Sequence, residues 1–251
     1  MRHDRRRRRG KPERATLARS VRLFRAFLKE QSDPEYFYQA IAADSVDQIR
    51  TFAPVAGATV LDVGGGPGYF RAAFVSAGAR YVSVDSDLGE LASRGRPEPG
   101  SVVGSGLALP IRSGTVDICY SSNVLEHVTR PWQMAEEMLR VTRPGGLVYC
   151  SFTIWLSPWG GHETSPWHYL GGARAARRYY RKHGRPPKNV FGRSLFAVST
   201  ADALRWARYT PNGELLAAFP RYHPRWSHWV VRLPVVREFA TWNLALVLVR
   251  R

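Results

Sequence analysis

The run Val60-Leu61-Asp62-Val63-Gly64-Gly65-Gly66-Pro67-Gly68-Tyr69-Phe70 leaves the chain few folding options. It reads as a buried strand, a glycine turn and a helix start. Glycines at alternate positions (Gly64, Gly66, Gly68) let the backbone approach a ligand where a Cβ would stand in the way. The helix that follows directs its free N–H groups at the same place. A unit of this kind is the nucleotide-type cofactor site of an α/β sheet; by itself it also fits a tight turn that binds nothing. The dinucleotide pattern G-x-G-x-x-G fails in this register because its sixth position is Tyr69, and no Gly-Lys-Ser/Thr follows to make a phosphate loop.

The alternation on either side extends the same architecture. After Thr59–Val63 come a helix over Pro67–Ala77, a strand over Tyr81–Val84 and a strand over Ser101–Val103. A strand over Val116–Ser121, a helix over Pro131–Thr142, a turn at Gly145-Gly146 and a strand over Leu147–Phe152 complete the series. Further on, Glu214–Phe219 reads as strand six and Leu244–Val249 as strand seven, antiparallel beside it. Short apolar strands alternating with helices require a doubly wound, mostly parallel sheet. The expected fold is therefore α/β: a Rossmann-like sheet of seven strands, its last strand antiparallel. Ahead of it, Asp33-Pro34 opens a helix. Before that, Leu17, Val21, Phe24 and Leu28 make one apolar helix face with arginines opposite. That face suits a lid or membrane-surface helix, and equally one packed on the core.

Charge separates the appendages from the core. Of the net +17, residues 1–29 carry twelve Arg/Lys against two acids, and residues 172–194 carry eight Arg/Lys and no acid. The remainder is nearly neutral, so this is a neutral domain with two basic segments. Residues 1–14 read as a disordered basic tail and residues 15–251 as one domain, with a core of 31–153 and 195–251 and an insertion at 154–194. Basic segments favour phosphate, an anionic membrane surface or nucleic acid, the last being the less favoured partner here. Cys119 and Cys150 lie in strands and read as buried thiols of a reducing compartment. With no apolar run of about 18 residues, the expected location is cytoplasmic, peripheral to the inner face of the membrane through the basic segments.

The ligand edge gathers further residues. Asp85 ends strand two, 21 positions after Gly64, where an acid accepts hydrogen bonds from a ribose diol. The blocks Gly104-Ser105-Gly106-Leu107-Ala108-Leu109-Pro110-Ile111, Thr115-Val116-Asp117-Ile118-Cys119-Tyr120-Ser121-Ser122-Asn123-Val124-Leu125-Glu126-His127-Val128 and Leu139-Arg140-Val141-Thr142-Arg143-Pro144-Gly145-Gly146 follow in order. With the glycine turn, these four motifs resemble class I S-adenosylmethionine (SAM) dependent methyltransferases, nearest the small-molecule and lipid-quinone type. Beyond strand five the chain looks like uncharacterised bacterial methyltransferases. The resemblance implies S-adenosyl-L-methionine as cofactor, held by Asp62, Gly64, Gly65, Gly66, Gly68, Asp85, Ser86, Ser105, Gly106, Leu107, Ser122 and Asn123. It also implies that Tyr36 or Tyr38 reaches the cofactor's carboxylate, against core packing as the default. The family usually has Asp where Ser105 stands, which leaves a neutral acceptor for the adenine amine.

The insertion starts where strand five ends, over the cofactor edge, and a long loop there is expected to be functional. Trp155, Trp159, Trp167, His162, Glu163, His168 and Tyr169 suggest an aromatic, polar-tipped pocket lining, or cap packing alone. His162 and Glu163 are the candidate general bases, with His127 behind them, because a neutral hydroxyl is a poor nucleophile. The spacing of His162, Glu163 and His168 matches no standard metal site, so no metal is expected. The chain thus reads as a SAM-dependent methyltransferase acting on a hydroxyl of a small molecule, glycan or lipid-linked acceptor. The alternatives are an RNA methyltransferase, a nicotinamide-dependent oxidoreductase and a non-catalytic SAM-binding protein.

Overall fold

A computed structural model describes residues 15–30 and 32–251. The predicted tail at 1–14 lies outside the described residues. The sheet has seven strands in the order β3-β2-β1-β4-β5-β7-β6. They are β1 Thr59–Val63, β2 Arg80–Asp85, β3 Ser101–Val103, β4 Val116–Ser122, β5 Thr142–Thr153, β6 Gly213–Pro220 and β7 Asn243–Arg250. Strands β1 to β5 pair in parallel, and β7 runs antiparallel to both β5 and β6. The sheet order reverses at β1, whose neighbours are β2 and β4, and in such sheets the ligand crevice opens there, at the carboxyl ends of the strands.

Period-two alternation divides the core between two faces. Leu61, Val63, Cys119, Val148 and Leu246 pack with Met134, Met138 and Leu204 from α5 (Pro131–Val141) and α7 (Thr200–Tyr209). Val60, Ile118, Tyr120, Tyr149 and Val247 pack with Ile41, Ile49 and Phe74 from α2 (Pro34–Arg50) and α3 (Arg71–Ser76). The start of α2 carries Pro34 in its first turn, and Asp33 caps it by accepting from the Tyr36 amide. In α7 the cap is Ser199, which accepts from the Asp202 amide at 3.0 Å.

Two local expectations change, and the open choice for the first helix is decided. The helix after the glycine turn is short, because residues 67–70 are spent on the turn itself. Gly145-Gly146 is not a turn between elements but part of β5. Val116 pairs with Thr142 and Ile118 with Leu147, so the extra residues bulge out of the ladder. The apolar stripe of α1 (Leu17–Phe27) faces outward: Leu17, Val21, Phe24 and Leu28 are exposed, while Arg19, Leu23 and Ala26 are buried. An ion pair sets this orientation. Arg19 donates through Nε and Nη2 to the two carboxylate oxygens of Asp44 in α2, at 2.5 and 2.6 Å. It also donates to the Arg221 carbonyl at 2.9 Å.

The insertion folds over the carboxyl ends of β4 and β5. It contains 3-10 turns at His162–Thr164 and Trp167–Leu170 and the helix α6 (Gly172–His183). Trp159 ties it down, packing against Phe27 of α1 at 5.0 Å and Trp242 at 6.4 Å. Trp155 packs inside the insertion on Phe191 and His168. Trp167 is exposed beneath the Arg178 guanidinium. The three tryptophans are thus spread through the insertion and onto its surface rather than gathered in one pocket. The basic residues from Arg174 to Arg193 all face solvent.

Candidate active site

The glycine turn adopts the backbone that its composition permits. Gly64, Gly66 and Gly68 have φ of +79°, +48° and +84°. A Cβ on Gly64 would meet Val124 Cγ2 at 2.4 Å, whereas a Cβ on Gly66 would stand in open space. The turn is therefore closed by Val124 on one side and open at Gly66. Asp85 completes the edge: its Oδ2 accepts from the Gly66 amide at 3.0 Å and its Oδ1 from the Asp87 amide at 2.9 Å. Two backbone donors hold this carboxylate in one orientation, and each oxygen keeps a further lone pair for a ligand hydroxyl. Ser86 is exposed on the bend that follows.

Two of the predicted cofactor residues have partners within the protein. Asp62 is 1% exposed and lies behind Gly65; its Oδ2 accepts from the Tyr81 hydroxyl at 2.5 Å. Burial pushes its carboxyl up to about 7, so it supports the turn from beneath instead of facing the open side. The Ser105 hydroxyl accepts from the Leu107 amide at 3.1 Å, closing its own turn. Gly106 is packed closely, since a Cβ there would stand 3.1 Å from Met134 Sδ and 3.4 Å from Val63 Cγ1.

At the end of β4 the site is held from the far side of the sheet. Asn123, at φ +57°, donates its amide to the Ser151 carbonyl at 2.7 Å and accepts from Asn243 Nδ2 at 2.7 Å. Arg221, fully buried just after β6, donates to Ser122 Oγ and Ser151 Oγ, each at 2.6 Å. Arg221 is not among the residues that the sequence singles out. Its only signal was an arginine directly after an apolar strand. Of the two tyrosines near the turn, Tyr38 stacks on Tyr69 at 4.6 Å, while Tyr36 is exposed.

The base candidates separate. His127, in the 3-10 turn Leu125–His127, has its Nδ1 2.6 Å from the Ser194 carbonyl, so Nδ1 is the donor in that hydrogen bond. His162 reaches it from the insertion, with ring centres 5.1 Å apart. Burial lowers the His162 pKa to about 4, so the imidazole is neutral at pH 7. Between them stands Glu126, 1% exposed, its Oε1 accepting from the Thr153 amide at 2.9 Å. Glu163 turns away to Asn189 Nδ2 at 2.9 Å. His168 is buried against the Ser157 carbonyl beneath Gly161. Of the three base candidates, His127 and His162 come together, joined by Glu126, while Glu163 does not join them. Glu126 was legible only as the neighbour of His127.

Comparison with known proteins identifies the family. Residues 61–150 match the methyltransferase domain family. The chain is 58% identical over 245 residues to an uncharacterized methyltransferase of Mycolicibacterium gilvum, covering 94% of this chain and 95% of that protein. It is 56% identical over 245 residues to one of Mycobacterium marinum, with the same coverage. Among solved structures, an S-adenosylmethionine dependent methyltransferase from Mesorhizobium loti superposes with a TM-score of 0.56 at 16% identity, covering 83% of this chain and 98% of that one. A geranyl diphosphate C-methyltransferase from Streptomyces coelicolor, solved with Mg2+, geranyl diphosphate and S-adenosyl-L-homocysteine, gives 0.55 at 14% identity over 88% and 85%. At these identities the structures share the fold.

Proposed function

The chain belongs to the SAM-dependent methyltransferase family, and from that premise we propose that its acceptor is a hydroxyl on a small molecule, glycan or lipid-linked substrate, presented beneath residues 154–194. One observation carries the reading: Glu126, His127 and His162 converge at the carboxyl end of β4, beside the glycine turn. A neutral hydroxyl must lose its proton as it reacts, and a cluster of two imidazoles and a carboxylate offers groups to take it, which an already ionised thiolate does not need. S-adenosylmethionine, the donor of this family, supplies a methyl whose bond to sulfur breaks with the pair staying on sulfur as the acceptor oxygen forms the new bond. The residues that fit it are the open glycine turn at Gly66, the oriented Asp85 and the backbone at Gly106 and Leu107.

Among the described residues no helix is long and apolar enough to cross a membrane. A lipid-linked acceptor would be met at an anionic surface. The outward stripe of α1, with Arg22 and Arg25 beside it, and the solvent-facing cations of α6 support this over RNA. An RNA backbone has no use for exposed Leu17, Phe24 and Leu28.

The deciding experiment incubates the protein with methyl-labelled SAM and, separately, lipid, glycan and RNA extracts. Label in lipid or glycan as an alkali-stable ether is the expected result. Label confined to RNA, or to carbon or sulfur, would overturn the acceptor assignment.

A further inference from the structure

Glu126, His127 and His162 present one carboxylate oxygen and two imidazole nitrogens that all lie within 4.8 Å of one another. Two features set them apart from a hydrogen-bonded cluster. Glu126 is 1% exposed, yet its Oε2 has no partner, and the buried Nε2 of His162 has none either. Leaving such acceptors unsatisfied in the interior costs ~1–3 kcal/mol each, and a negative oxygen more. Their outer partners, by contrast, are already in place. The Nδ1 of His127 is fixed by the Ser194 carbonyl and the Oε1 of Glu126 by the Thr153 amide. That is how ligating histidines and carboxylates are oriented in metal centres. His162 is held toward the group by a strained backbone at φ +48°.

We propose that Glu126, His127 and His162 bind a divalent transition-metal ion of the zinc class, leaving coordination positions open for the acceptor's hydroxyl. Two imidazoles and one carboxylate are a donor set for such ions rather than for magnesium or calcium, which prefer oxygen. Ligand bonds of ~2.0–2.2 Å require the three side chains, whose ligand atoms lie within 4.8 Å of one another, to close on the ion. A hydroxyl bound there ionises at a lower pH, its proton passing to water, and its oxygen then holds the pair needed for transfer. The proposal rests on the hydroxyl-acceptor reading for its role, but not for the binding itself.

The test loads the full-length protein with Co2+ alone, follows the visible d–d absorption, and measures retained Zn2+ after dialysis by elemental analysis. S-adenosyl-L-homocysteine affinity is measured in parallel by calorimetry. One ion per chain is expected. Glu126→Gln and His162→Ala should each weaken Co2+ binding by at least the ~10-fold that loss of an outer-shell partner costs, with S-adenosyl-L-homocysteine affinity within about two-fold of the parent. Absence of retained metal in a parent that binds S-adenosyl-L-homocysteine would overturn the site, as would equal Co2+ binding in the Glu126→Gln/His162→Ala double variant. Failure to bind S-adenosyl-L-homocysteine at all would instead overturn the cofactor reading.

Discussion

Arg221 donates through Nη1 to the hydroxyl of Ser122 at 2.6 Å, joining the end of β6 to the end of β4 across the intervening β5 and β7. The same nitrogen reaches Ser151 and the other reaches Ser45 of α2, both at 2.6 Å. Among the described residues its hydrogen-bond acceptors are hydroxyls. Its planar fork spreads the buried charge over several neutral hydroxyls, and the rings of Tyr149 and Tyr222 and the Asp44 carboxylate stand near enough to favour that charge as well.

Arg221→Lys should therefore be far from conservative. A single ammonium cannot reach Ser45, Ser122 and Ser151 from one position, and buried hydrogen bonds to a charged group are worth ~1.5–3 kcal/mol each. We expect a loss of ~2–4 kcal/mol in urea unfolding. A change below about 1 kcal/mol would show that β6 is held to β4 by packing alone.

The fold was readable because its signals are local. Glycines at 64, 66 and 68, Pro34 and Pro131 at helix starts, and the five apolar strands each act through their own backbone. The exposed side of α1 was not readable in this way. Leu17, Val21, Phe24 and Leu28 make the better apolar stripe, but Asp44, 25 residues away, captures Arg19 and turns the helix over. A hydrophobic count within one helix carries no information about a distant carboxylate. Glu126 and Arg221 escaped for the same reason: their partners (His162 and Ser122) come from elements far along the chain. His162 itself was singled out from its type and place, while its neighbours in space were not.

Gly64→Ala tests the closed side of the turn. The new methyl would stand 2.4 Å from where Val124 Cγ2 lies, at a φ of +79°. S-adenosyl-L-homocysteine affinity should fall by more than ten-fold, with a stability loss of ~1–3 kcal/mol from the backbone conformation. Adding Val124→Ala should recover part of the affinity and none of the backbone cost. Binding of the single variant at parental affinity would show that the turn has room to shift.

The outward stripe of α1 makes a prediction about surfaces. Sedimentation with vesicles containing anionic phospholipid should capture the protein at low ionic strength and release it as salt is raised. Leu17→Ser/Leu28→Ser should reduce capture several-fold with unfolding midpoints unchanged, because both side chains are already largely exposed. Equal capture of the variant would assign any vesicle binding to the cations of α6.

Asp62 ties stability to pH. Its carboxyl is raised by burial to about 7 in the folded protein, with the Tyr81 hydroxyl opposing that shift. An unfolded aspartate titrates near ~3.9. Between those values the folded chain holds a proton that the unfolded chain has lost, so stability falls with rising pH. The contribution of Asp62 is complete below about pH 4 and is lost as pH climbs through 7, a change of at most ~4 kcal/mol at ~1.4 kcal/mol per unit. Asp62→Asn removes the titration but keeps an oxygen for Tyr81. In the absence of cofactor, the unfolding midpoint of the variant relative to the parent should therefore rise steadily between about pH 5 and pH 8. A difference that stays constant over that range would mean that the Asp62 carboxylate is ionised throughout, with its charge compensated beneath the glycine turn.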